Sequence, residues 1–149
     1  MADALYFEDL TPGRTFRSGA LTVSRDEIAA FAGAFDPQPF HLDDAAARAT
    51  VFGGLAASGW HTAALTMRLL VDGGLPVAGG IIGAGGEIAW PAPVRAGDTL
   101  RAESEVVEAR PSRSKPAQGT VRVRTTTLNQ DGRPVQVLTA TLVVPRRPA

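Results

Sequence analysis

The stretch WHTAALTMRLLV, residues 60–71, decides the fold. Read as a helix, it is apolar on nearly every side, and only His61, Thr62, Thr66 and Arg68 interrupt. A helix apolar almost all round is expected to be buried almost all round. Asp72-Gly73-Gly74 stops it. Ser58, just ahead, suits the N-cap, because its hydroxyl can accept from an N–H of the first turn. In so buried a helix, His61 reads as a satisfied core or interface histidine, and Trp60 as a packing residue.

Beyond the helix the chain carries strand signals. Residues 86–94, GEIAWPAPV, read as a strand, with Trp90 packing. Residues 98–109 alternate, with Leu100, Ala102, Ser104 and Val106 on one face and Arg101, Glu103 and Glu105 on the other. Residues 119–128 set Val121 and Val123 against Arg122 and Arg124. Asn129-Gln130-Asp131-Gly132 reads as a hairpin turn, and residues 134–144 as a last strand. Ahead of the helix, residues 14–23 read as a first strand. Ser24 and Glu27 then form a capping box, and Ile28, Phe31, Ala32 and Phe35 make one apolar helix face that Pro37 ends. Asp43 or Asp44 caps a second short helix over Ala45–Thr50, closed by Gly53-Gly54.

One long helix and a run of antiparallel strands predict an α+β domain. A single sheet can bury the helix only by curling around it. One side then stays open, and a second copy of the chain would close it, so a homodimer or higher homo-oligomer is expected.

The totals narrow the function. The chain has 149 residues, which fits a single domain over 1–149, and 44% of them are hydrophobic, enough for a core. Lys+Arg and Asp+Glu are both 15, a balance that argues against the basic face nucleic acid needs. Cysteine is absent, which excludes disulfides, thiolate catalysis and Cys-based metal sites. Two histidines offer little to a metal. The opening MADALYFEDL lacks a basic n-region before an apolar run, and no 18-residue apolar stretch occurs, so a cytoplasmic protein without a membrane partner is expected.

Residues 35–44, FDPQPFHLDD, bring an aspartate and a histidine five positions apart, separated by Pro-Gln-Pro-Phe. Asp36 alone suits a turn before proline; with His41 it makes a candidate acid–base pair. Each proline fixes its own φ near about −65°, so such a loop is stiff.

The chain resembles the MaoC-like dehydratases, a hot-dog-fold family that includes R-specific enoyl-CoA hydratases. The resemblance rests on Tyr6-Phe7-Glu8-Asp9-Leu10-Thr11-Pro12-Gly13, on Asp36-Pro37-Gln38-Pro39-Phe40-His41, and on Ser58-Gly59. It continues through Pro91-Ala92-Pro93-Val94-Arg95-Ala96-Gly97-Asp98-Thr99-Leu100 and Ser112-Arg113-Ser114-Lys115-Pro116. The family motif reads Asp-x-Asn-Pro-x-His. Asp36, Pro39 and His41 match it, Gln38 stands where Asn is usual, and position 37 is a second proline.

The resemblance implies a hot-dog fold, a hydratase or dehydratase acting on an acyl-CoA substrate, and no cofactor. Adding water to a 2-enoyl thioester needs a base for water, a proton at the α-carbon and a donor to the enolate oxygen. Asp36 and His41 suit the first two tasks. The Gly59 N–H, at a helix start where the dipole is positive, suits the third. Ser58, Gln38 and Phe40 are candidate substrate contacts. Arg113 and Lys115 are candidate partners for the phosphates of coenzyme A, or merely a solvated turn. A hot-dog thioesterase and a non-catalytic acyl-thioester-binding subunit are the alternatives.

Overall fold

The computed structural model describes residues 3–149; the first two residues of the MADALYFEDL opening lie outside the described residues. A 3₁₀ turn at Phe7–Asp9 precedes strand β1 (Thr15–Thr22). Helices α1 (Arg25–Phe35), α2 (Pro39–Leu42), α3 (Asp44–Arg48) and α4 (Gly59–Leu69) come next, and α4 runs into a single π-type turn, Leu70–Gly74. Strands β2 (Ile82–Ala89), β3 (Thr99–Pro111), β4 (Gln118–Leu128) and β5 (Pro134–Pro145) complete the chain. The five strands form one antiparallel sheet in the order β1-β3-β4-β5-β2. No helix among the described residues is long and apolar enough to cross a membrane.

The alternation read in 98–109 holds: Leu100, Ala102, Ser104 and Val106 are buried. Val121 and Val123 of β4 and Leu142 and Val144 of β5 extend that face. Ile28 of α1, Leu69 of α4 and Leu70 of the π-type turn pack into the same core. A fully buried leucine, isoleucine or valine side chain stabilises by about 1.5–3 kcal/mol. The Ser24–Glu27 capping box forms, with Glu27 N–H donating to Ser24 Oγ and Ser24 N–H to Glu27 Oε1, both at 3.1 Å. Asp43 caps α3.

Two expectations need correcting. The strand foreseen at 86–94 is instead Ile82–Ala89. Proline has no N–H for a ladder, so Pro91 and Pro93 cannot extend it. Upstream, the run Gly83-Ala84-Gly85-Gly86 looks like a loop by composition, yet it pairs with β5. Gly86 is needed there because a Cβ would sit 2.5 Å from the Thr139 carbonyl oxygen.

The helix at 60–71 is not buried all round within one chain. Its buried side carries His61, Thr62, Thr66 and Leu69, while Trp60, Met67 and Val71 are exposed. The sheet meets it with polar groups of its own. Thr66 Oγ1 donates to the Thr62 carbonyl at 2.9 Å, and accepts from Gln136 Nε2 at 3.3 Å and from the Thr127 hydroxyl at 2.6 Å. That uses the hydroxyl's one donor and two acceptor positions in full. Gln136, fully buried, accepts in turn from the Trp90 indole N–H at 3.0 Å. His61 is buried as expected but not satisfied: its ring stacks on Phe31, and Nδ1 has no partner among the described residues. Burial holds its pKa below the ordinary histidine value, against a smaller upward pull from Glu27.

Candidate active site

Three local structures bring the site together. Helix α1 ends because Pro37 comes after it, which leaves Asp36 as the C-cap, its N–H donating to the Ala32 carbonyl at 2.8 Å. Pro39 then starts α2, a single turn that carries His41 as its third residue. Four residues show no periodicity, so the sequence reads as loop here. Ser58 caps α4, its Oγ accepting from the Trp60 N–H at 3.3 Å.

Asp36 is surrounded by donors. The Ser58 hydroxyl donates to Oδ2 at 2.7 Å, and the Gln38 amide to Oδ1 at 2.5 Å. His41 Nε2 lies 3.2 Å from Oδ2. The Ser58 bond, with help from Gln38 and His41, holds the Asp36 carboxyl below the usual carboxylate range, against the opposing push of burial. Asp36 is therefore a carboxylate at neutral pH.

His41 is buried, and its Nδ1 lies 2.7 Å from the Ala56 carbonyl oxygen. A carbonyl only accepts, so Nδ1 carries the proton and Nε2 is the nitrogen presented to Asp36. With the imidazole neutral, two acceptors face each other. A water donating to both relieves that contact and keeps a lone pair free. A single added proton makes an ion pair instead. Such an arrangement can take up and give back one proton.

The pair opens into a cleft of about 430 Å³, within the range of small-molecule sites. Gln38, Phe40, Phe52, Trp60, Trp90 and Gly59 are among its walls. Phe40 stands edge-on to the His41 ring, with centroids 4.6 Å apart. The Gly59 N–H has no acceptor among the described residues, whereas those of His61 and Thr62 are taken by the Ser58 carbonyl. Gly59 also has a packing reason. A Cβ there would lie 2.6 Å from the Trp90 ring.

The structure thus gathers Asp36, His41, Gln38, Phe40 and Gly59 around one cleft. Ser58, expected to touch substrate, is instead fully buried behind the wall, its hydroxyl spent on Asp36. Arg113 and Lys115 stand exposed on the β3–β4 turn, outside its walls. Sequence reasoning missed the Ala56 carbonyl, which no residue pattern could reveal. It also missed the aromatic walls, since Trp60 and Trp90 were expected only to pack.

A family model described as "MaoC like domain" matches residues 8–129. The chain belongs to the MaoC-like family. Its curled sheet around α4 is the hot-dog fold, as the resemblance implies. The crystal structure of a MaoC-like dehydratase from Rhodospirillum rubrum superposes with a TM-score of 0.96. The two are 57% identical, with 98% of this chain and 100% of that one covered. An uncharacterized Bacillus subtilis protein, YdeM, is 36% identical over 126 residues, 83% of this chain and 86% of its own. The (R)-specific enoyl-CoA hydratase of Rhodospirillum rubrum is 35% identical over 103 residues, 65% of this MaoC-like chain and 66% of its own.

Proposed function

We propose that this MaoC-like chain is a hydratase/dehydratase, adding water to a 2-enoyl-CoA or removing it from a 3-hydroxyacyl-CoA. The carrying observation is the Asp36 carboxylate, held by Ser58 and Gln38, 3.2 Å from a His41 Nε2 whose other nitrogen is fixed on a carbonyl. Asp36 is a weak base because the Ser58 hydroxyl and the Gln38 amide both donate to its anion. His41 Nε2 is therefore the group that accepts the water proton, while Asp36 orients the water and stabilises the imidazolium.

In hydration, the water oxygen bonds to C3 of the enoyl thioester and its proton moves to His41. The C2–C3 π electrons shift to give an enolate whose oxygen the Gly59 N–H receives. The proton then passes to C2, and the thioester carbonyl reforms. An oxyanion donor of this kind is worth about 2.7–4 kcal/mol. Ser58 holds Asp36, while Gln38 and Phe40 line the cleft against the substrate. Arg113 and Lys115 keep a proposed role at the anionic end of coenzyme A, remote from the reacting atoms.

The proposal includes a homodimer. β2 is an edge strand, and Ile82 on it is 58% exposed. Exposed edges invite pairing with another strand, and Met67 and Val71 of the helical segment are uncovered as well.

Crotonyl-CoA tests the function. Loss of the enoyl ultraviolet absorbance without free thiol supports hydration. Release of thiol instead identifies a thioesterase, and no change with this or longer enoyl-CoA substrates refutes the enzymatic reading.

A further inference from the structure

The guanidinium of Arg95 forms no ion pair among the described residues. It donates instead to three carbonyls of one strap: from Nη1 to Gly54 at 2.7 Å and Leu55 at 3.0 Å, and from Nη2 to Phe52. The backbone carrying it is anchored, since the Arg95 N–H donates to Asp98 Oδ2 at 2.8 Å. Further along the strap, Ala56 N–H donates to the Phe40 carbonyl and Ala57 N–H to that of Val94.

The strap matters for what it carries. The next carbonyl after Leu55 is that of Ala56, which receives His41 Nδ1. Two residues on, the Ser58 hydroxyl holds Asp36. One segment thus presents a partner to each member of the pair. Gly53 and Gly54 give it wide backbone freedom, and Gly53 sits at φ 65°. A rigid planar fork supplies several donors at fixed spacing, which a lysine cannot do.

We infer that Arg95 is a positioning residue, whose fork fixes the 52–58 strap so that the Ala56 carbonyl holds His41 with Nε2 toward Asp36. This deepens the proposed hydratase reading, but its spectroscopic test does not depend on activity. The chain has only two histidines, so imidazole N–H signals are few.

In the parent, a protected His41 Nδ1–H resonance is expected, identified by its loss in His41→Gln. Arg95→Gln and Arg95→Lys should each lose that protection in a folded chain. Turnover of crotonyl-CoA should fall about tenfold or more, as small misplacements do, with KM within about twofold because ground-state contacts remain. Added methylguanidinium should restore part of the rate in Arg95→Gln. A folded variant that keeps both the signal and kcat overturns the inference. So does failure of both variants to fold, because Arg95 is then part of the framework and not a device of the site. Should Asp36→Asn keep the parental rate, the hydratase reading falls, yet the imidazole signal still decides for or against the Arg95 clamp.

Discussion

Replacing Ser58 with alanine removes one hydroxyl that does two jobs. It caps α4 through a rather long 3.3 Å contact from the Trp60 N–H, which places that contribution at the low end of the cap range, about 0.5–1 kcal/mol. It also donates to the Asp36 carboxylate at 2.7 Å, a charge-assisted bond worth about 1.5–3 kcal/mol. Together Ser58→Ala should cost about 2–4 kcal/mol at pH 7. In a domain of this size that lowers Tm by about 5–15 °C. The pH dependence separates the two jobs. Asp36 has a depressed folded pKa, with Ser58 as its first cause. Its contribution to stability is present above the unfolded value of about 3.9 and is lost as pH falls through the folded value. The Tm gap between parent and variant should therefore narrow on acidification, leaving only the cap's share. In an Asp36→Asn background the same substitution should cost less than in the parent, and by the same amount at every pH, since the acceptor is then a neutral amide oxygen. Thermal melts across the acid range measure both, and the enoyl-CoA assay should show kcat reduced about tenfold as Asp36 loses its orientation. A gap that stays constant with pH, and equal in the two backgrounds, refutes the reasoning that Ser58 acts on an ionised Asp36.

The remaining predictions probe other parts of the molecule. Asp36→Asn and His41→Gln should each lower kcat about 10²-fold or more, with the double variant little worse than the worse single, since groups acting as a unit are not additive; near-parental rates in Asp36→Asn refute the proposed mechanism. His61→Phe keeps the stack on Phe31 and removes a buried, unpartnered nitrogen, so it should stabilise by about 1 kcal/mol. Because the folded His61 pKa is lowered, the parent should lose stability as pH falls below the unfolded value of about 6.5; His61→Phe should flatten that part of a melt-versus-pH curve. Gly59→Ala pushes a Cβ into Trp90, and should cost about 1–3 kcal/mol and shift the tryptophan fluorescence; an unchanged spectrum and melt contradict the packing described. Sedimentation should show a dimer that Ile82→Lys dissociates, whereas a folded monomer of the parent at micromolar concentration removes the proposed assembly.

Some of this molecule was written locally. The period-2 pattern of 98–109 gave β3 its buried face, because alternation and burial are the same fact in a strand. Ser24 and Glu27 specified a helix start, and Pro37 its end, through contacts within a few residues. The pairing of Asp36 with His41 was legible for the same reason: they are close in sequence and in a recurring motif. Other features depend on elements far apart. Gly83–Gly86 is a strand only because β5 lies beside it. The apolar stretch at 60–71 shows tryptophan and methionine to the outside, because its buried Thr66 meets Thr127 and Gln136 from strands 61 and 70 residues away. The Ala56 carbonyl that orients His41, and the Arg95 fork that holds its strap, carry no sequence signature, since every residue has a carbonyl and only the folded chain decides which one a side chain meets.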